Sequence, residues 1–335
     1  MFTMKKLKYA VIGLGFFGEK HLEVLADLPN VDICAISTRR KDRLKELSDR
    51  FNIKNVYTDY RQLLANPEVE AVSIVSHVDK HKEMAVAALE SGKHVFLEKP
   101  MAANVEECEA ICVAAEKSKG QFMVGHICRF DPRVLQAREA IKSGSIGDIV
   151  SMHSRRNLPA AIGAEVLDKI SPMLGDGIHD TDLMMWLTSS KITSVFANNV
   201  KFRKFKNPDI AWAMYRFESG AIGVVEVVWA LPDSTPYSID AKMEIIGTKG
   251  AIYIDCGNTG VEIQTLQDVS RPDTVYWPET FGKRTGALKS ELEYFVNSVI
   301  DESPIAIISP KESLAAVKAV TAAEKAARLN QNIII

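Results

Sequence analysis

Apolar and amphipathic stretches alternate along the first third of the chain. Lys8 to Ile12 reads as a strand buried on both faces, and Glu19 to Leu28 has helical periodicity. Val31 to Ser37 is a second strand, Lys41 to Phe51 a helix, and Val56 and Tyr57 a short strand ahead of a helix at Tyr60 to Leu64. Ala71 to Val75 and His81 to Glu90 repeat the pair. Val95 to Leu97, Val105 to Ser118 and Phe122 to Val124 continue it. Strands alternating with helices predict an α/β fold with a doubly wound parallel sheet.

After Gly125 the pattern changes. Asp131 to Ser143 is a charged helix. Strands then follow in series: Ile149 to Arg155, Ile192 to Val200, Ile210 to Phe217, Ala221 to Val228, Lys242 to Ile246, Ala251 to Asp255 and Val261 to Thr265. Phe217-Glu218-Ser219-Gly220-Ala221 is a hairpin signal. A run of strands after an αβ alternation predicts a separate α+β domain with a large, open, mainly antiparallel sheet. Leu288 to Ile300 and Lys311 to Leu329 close the chain as helices, the second alanine-rich and amphipathic. The expected division is residues 1–125 and 126–335.

The 335 residues, 47% of them hydrophobic, suffice for two cores. A formal charge of −2 argues against nucleic acid or an anionic membrane surface as main partner. No apolar run has spanning length, since Glu226 interrupts the longest, Ala221 to Leu231. Met1 to Lys8 has lysines and no apolar core, so no signal peptide is expected; Met4 offers an alternative start. The five cysteines, Cys34, Cys108, Cys112, Cys128 and Cys256, show neither a C-x-x-C pair nor zinc spacing. Buried free thiols in a reducing cytoplasm are expected, and no metal site.

Two stretches bear chemistry. Gly13-Leu14-Gly15-Phe16-Phe17-Gly18 is G-x-G-x-x-G between a strand and a helix. Gly13 permits the tight turn, Gly15 lets backbone approach a pyrophosphate, and Gly18 lets helix and strand pack closely. The helix N-terminus offers N–H groups and partial positive charge to the phosphates. His94-Val95-Phe96-Leu97-Glu98-Lys99-Pro100 is the second stretch. It puts Glu98 and Lys99 at the carboxyl end of a buried strand, the edge where open α/β sheets bind ligands. A Lys-Pro peptide can also be cis.

These residues, with His81, Ser91-Gly92-Lys93-His94, Arg129-Phe130-x-Pro132, Gly144-x-Ile146-Gly147, His179-x-x-Asp182 and Ile245-Ile246-Gly247-Thr248-Lys249-Gly250, resemble the Gfo/Idh/MocA oxidoreductases over essentially the whole chain. The resemblance implies hydride transfer between NAD(P) and a sugar, polyol or nucleotide-sugar carbon. It implies a homodimer or homotetramer through the open sheet. It adds Phe16, Phe17, Ser76, His81, Glu98 and Lys99 to the glycines as cofactor contacts. Lys99, Asp176 and His179 are implied at the chemistry and against substrate, with Arg129 and Arg156 as substrate ligands. A reductase of a non-sugar carbonyl or imine, and a non-catalytic NAD(P) sensor, are the alternatives.

The chain departs from the family at one point. Where an aspartate commonly stands four residues before the catalytic histidine there is Gly175, and Asp176 is three before. Asp180 is equally well read as complementing a helix dipole. Arg155-Arg156-Asn157 suits either a bidentate phosphate or carboxylate grip, or a basic strand edge that discourages aggregation. Trp212, Trp229 and Trp277 are expected in the core. For the dinucleotide, no carboxylate precedes Asp42 after the second strand, while Ser37, Thr38 and Arg39 can meet a 2′-phosphate. NADP is therefore favoured and NAD remains possible.

Overall fold

The computed structural model describes residues 6–335; Met1 to Lys5, with the alternative start Met4, lie outside them. The chain forms two compact units, Met1–Phe130 with Val275–Leu314, and Asp131–Thr274 with Ala315–Ile335. The single boundary expected after residue 125 thus becomes a discontinuous division.

The first unit is built as β1 (Leu7–Ile12), α1 (Phe16–Asp27), β2 (Val31–Ser37), α2 (Lys41–Phe51), β3 (Asn55–Tyr57), α3 (Tyr60–Leu64), β4 (Ala71–Ile74), α4 (His81–Glu90), β5 (His94–Glu98), α5 (Val105–Lys117) and β6 (Phe122–Gly125). The six strands are parallel in the order β3-β2-β1-β4-β5-β6. Their runs are apolar because helices cover both faces. The order reverses between β1 and β4, and the carboxyl ends of these strands form a switch-point edge.

The second unit contains α6 (Pro132–Lys142), β7 (Ile149–Asn157), α7 (Ala160–Ala164), α8 (Ile178–Thr188), β8 (Ile192–Val200), β9 (Ile210–Phe217), β10 (Ile222–Val228), β11 (Asp240–Gly247) and β12 (Ala251–Asp255). Two-residue strands β13 (Ile263–Gln264) and β14 (Val269–Ser270) form a hairpin. In the first unit, β15 (Glu279–Thr280) and β16 (Lys283–Arg284) form another, ahead of α9 (Ala287–Ile300). Helix α10 (Pro310–Leu329) and β17 (Ile333–Ile334) complete the chain. The second sheet runs β12-β11-β7-β10-β9-β8-β17, antiparallel except for the β7–β10 pair. Its inner face carries Ala211, Ala213, Tyr215 and Phe217 of β9, and α8 lies against β7 and β10.

Strand β7 lies inside this sheet, between β11 and β10. Arg155 and Arg156 therefore guard no edge, and the aggregation-blocking reading fails. Arg155 pairs with Asp240 at 2.9 Å instead. Helix α9 belongs to the first unit because its apolar face is matched there. Phe295 meets the rings of Tyr9 at 6.3 Å and Phe96 at 5.6 Å, both edge-on.

Candidate active site

In the first unit the glycine turn joins β1 to α1. Gly13 has φ +94°, and a Cβ there would stand 2.2 Å from the Val75 carbonyl oxygen. At Gly18 a Cβ would meet the Gly13 carbonyl oxygen at 1.9 Å. Before Gly15 there is open space, with no atom within 4 Å of an added Cβ. The Gly13 N–H donates to the Ser37 carbonyl at 2.9 Å, and Arg40 donates to the Leu14 carbonyl at 2.8 Å. A turn braced from behind, with open backbone in front and first-turn N–H groups beyond, fits a dinucleotide's pyrophosphate. Phe16 is exposed at the helix start, whereas Phe17 packs edge-on against Trp277 at 5.4 Å.

Ser37, at the end of β2, is buried, and the Thr38 N–H donates to the Tyr57 carbonyl at 3.1 Å. Arg39 is exposed beside them. Beyond β4 and β5, buried His81 bridges two turns: Nδ1 is 2.8 Å from the Pro100 carbonyl oxygen and Nε2 3.1 Å from that of Ser76. Burial lowers the ring's pKa, so a neutral ring donates to one of these carbonyls at a time. The Lys99–Pro100 peptide is cis. Lys99 is half-buried, and its backbone N–H donates to Glu98 Oε2 at 3.2 Å. The glycines, Ser37, Ser76, His81, Glu98 and Lys99 thus gather along the carboxyl edge of one sheet. Arg129 is committed elsewhere: 1% exposed, it donates to the Ile307 carbonyl at 2.6 Å and to Glu312 at 3.0 Å.

In the second unit a π-helical turn, Met173–Gly177, leads into α8. This wider turn departs from the α-helical spacing under which Asp176 and His179 would be i, i+3 neighbours. Asp176 Oδ2 accepts from the Trp229 indole N–H at 2.9 Å. A side chain at Gly175 would collide with the same ring, its Cβ lying 2.7 Å from Cη2. Trp229 therefore fills the space that the family's aspartate would need. His179 and Asp182 are buried on α8. Asp180 complements more than a helix dipole: the Arg156 fork grips it at 2.9 and 3.2 Å. Burial lifts the Asp180 carboxyl above its usual range, and Arg156 opposes the shift.

The tryptophans divide. Trp229 is core, but Trp212 is 42% exposed on the outer sheet face and stacks on His153 at 6.2 Å. The sequence reading passed over His21. It is fully buried on α1, with Nε2 3.1 Å from Glu98 Oε1. Its one legible sign was its place one turn after Gly18, on the helix face turned to the sheet.

Residues 7–126 match the model of an oxidoreductase family with an NAD-binding Rossmann fold, and residues 134–253 match the GFO/IDH/MocA C-terminal domain. The chain is 29% identical to myo-inositol 2-dehydrogenase of Thermotoga maritima, over 74% of this chain and 75% of that one. It is 30% identical to scyllo-inositol 2-dehydrogenase (NAD(+)) of Bacillus subtilis, over 74% of each. Apo scyllo-inositol dehydrogenase from Lactobacillus casei superposes with a TM-score of 0.86 at 25% identity, covering 99% of both chains. With both domain models matched in order and the glycine turn and Lys99 in place, the chain belongs to the Gfo/Idh/MocA family of NAD-binding oxidoreductases, dehydrogenases that act on CH–OH groups.

Proposed function

We propose that the chain interconverts a ring hydroxyl of an inositol, or a related sugar or polyol, with its ketone. The observation that carries this reading is Lys99, presented at the switch-point edge of the unit that holds the glycine turn. The names of the inositol dehydrogenases it resembles supply the substrate class. A bound nicotinamide dinucleotide supplies the hydride acceptor or donor. Lys99 hydrogen-bonds the reacting oxygen and stabilises negative charge as it develops. His179 takes the hydroxyl proton in oxidation and returns it in reduction. Asp176, fixed by Trp229, is the candidate for a neighbouring substrate hydroxyl. Arg156, gripping Asp180, and Arg129, donating to Glu312 and the Ile307 carbonyl, have protein partners that a substrate anion would have to share or displace.

The test is a screen of inositols, sugars and nucleotide sugars that follows reduced-nicotinamide absorbance, repeated with Lys99→Met. Wild type should turn over a cyclic polyol. Lys99→Met should lose about 10²–10³ in kcat with cofactor affinity retained. Undiminished kcat in Lys99→Met sinks the assignment, and tight cofactor binding with no substrate at all favours a sensor.

For the cofactor, the same reading holds that Arg39 pairs with a 2′-phosphate beside Ser37 and Thr38, so that NADP binds more tightly than NAD. The Bacillus subtilis relative, named for NAD(+), supports the opposite preference. Arg39→Ala should weaken NADP by about tenfold or more, one charge-assisted contact, and leave NAD unchanged. Wild-type titrations that favour NAD, with no response in the variant, decide for NAD. Five free cysteines, with the Cys108 thiol pushed by burial to about 12, suit a reducing cytoplasm.

A further inference from the structure

A line of polar side chains crosses the core of the first unit and ends at Lys99. Tyr9 Oη on β1 is 2.9 Å from Ser73 Oγ on β4. Ser73 Oγ is 3.2 Å from His21 Nδ1 on α1. His21 Nε2 is 3.1 Å from Glu98 Oε1 on β5, and Glu98 Oε2 accepts the Lys99 N–H at 3.2 Å. Tyr9, Ser73 and His21 are 0% exposed and Glu98 7%.

With the His21 ring neutral, one arrangement of protons satisfies every link. The Glu98 carboxylate only accepts, so His21 donates from Nε2; Nδ1 of a neutral ring then accepts from Ser73, which accepts from Tyr9. Aromatic rings close the sides: Phe17 and Phe96 stand edge-on to His21 at 5.3 and 5.4 Å. Gly125 leaves the carboxylate its room, since a Cβ there would come within 2.9 Å of Glu98 Oε1. A second carboxyl, Glu291 of α9, is also fully buried in this unit and feels the charge of Glu98.

Such groups burden a core. Apolar side chains of the same volume would stabilise it as well or better. Of the line's members Glu98 alone keeps some exposure, and its next partner is the half-buried Lys99, so the line's purpose is sought there. We propose that His21 and Glu98 are positioning residues that act through Lys99: the buried line fixes the carboxylate, the carboxylate fixes the Lys99 amide, and the amide sets where the lysine leaves β5. This rests on the reading of Lys99 as the lysine at the chemistry. Sequence spacing hides the arrangement, because His21 and Glu98 are 77 residues apart.

Two substitutions at His21 separate positioning from packing. Asparagine places a polar group near Nδ1, keeping the link to Ser73 and cutting the one to Glu98. Glutamine reaches the position of Nε2 and keeps Glu98. With the inositol that wild type turns over, His21→Asn should lose about a hundredfold in kcat, the effect of a misplacement near 1 Å. KM and the NAD dissociation constant, read by tryptophan quenching, should stay within about threefold, under 1 kcal/mol. His21→Gln should recover to within about tenfold of wild type, and His21→Asn should cause no further loss in a Lys99→Met background. Should His21→Asn not fold, Glu98→Leu should show the same loss in kcat and the same absence of further loss in a Lys99→Met background.

Wild-type kcat in His21→Asn, equal losses in the Asn and Gln variants, or losses that multiply with Lys99→Met would each overturn the proposal. A fully active Lys99→Met, or a wild type that turns over no inositol, removes the reading beneath it instead. That failure is distinct from an active His21→Asn beside an inactive Lys99→Met.

Discussion

Glu291 sits fully buried on α9, and among the described residues neither carboxylate oxygen has a hydrogen-bond partner. Burial first, and then the charge of Glu98, hold its carboxyl well above the ordinary value of 4.5. The sign of the consequence follows from proton linkage. Below that ordinary value both folded and unfolded chains carry the proton, and the group adds no pH dependence. Above it the unfolded chain ionises while the folded chain keeps its proton, so stability falls as pH rises until the folded carboxyl titrates. One proton gives a slope of about 1.4 kcal/mol per pH unit in that window. Glu291→Gln cannot ionise and should lose this slope, matching wild type near pH 4, by about the reference range of a free Glu, and gaining on it towards neutrality. Denaturant titrations at several pH values read the difference, and parallel stability–pH curves would show that Glu291 is not the group responsible. Glu291 was not legible in the sequence, and His21 only by its place one turn after Gly18. A charged or imidazole side chain at a buried helical position looks the same as one on a solvated face until the opposing element is known.

Elements were legible where a single period held. The alternation of β1 to β6 with α1 to α5 follows from apolar runs and 3.6-residue stripes, and α5 ends within a residue of its expected end. The glycine turn was legible as well, because each glycine has its own steric task. Gly18→Ala should damage the turn most: its Cβ would lie 1.9 Å from the Gly13 carbonyl, which is backbone and cannot swing aside. About 3 kcal/mol of stability should be lost, together with about tenfold or more in cofactor affinity as α1 shifts from β1. Gly92→Ala is the control, with φ +72° but open space around an added Cβ, so that left-handed strain of about 1–2 kcal/mol is its whole effect. Melting curves and NAD titrations of the two variants test the contrast; equal effects would mean that packing behind the turn is loose enough to admit the methyl group. The π-helical turn before α8 was not legible. Its signal is a ring 54 positions on in the chain, Trp229, which occupies the space beside Gly175 and bonds Asp176.

At the scale of the whole molecule, the return of Val275–Leu314 to the first unit escaped the sequence reading because an amphipathic helix declares a buried face without declaring its partner. The second sheet declares more. Strict alternation on β9 would give one apolar face, yet Trp212 and Met214 occupy its outward positions, 42% and 49% exposed. Tyr253 on β12, 70% exposed, and Ile246 on β11 lie on the same face, with Arg155, Lys242 and Glu244 between them and β9. Large exposed apolar side chains set among polar ones on one sheet face mark interaction sites. Among the described residues no helix is long and apolar enough to cross a membrane. A second copy of the chain can cover such a face with its own, a self-complementary contact that closes as a dimer. The expected outcome is that the wild type sediments as a dimer or a tetramer. Trp212→Glu with Met214→Lys should place charges in the centre of the contact. At more than about 2 kcal/mol for a central aromatic anchor, the dissociation constant should rise by about thirtyfold or more. Both side chains point away from the inner face, so far-UV circular dichroism should not change. Sedimentation velocity over a dilution series makes the measurement. A wild type that is monomeric at every concentration, or a double variant that sediments as wild type does, would show that this face is not where copies meet.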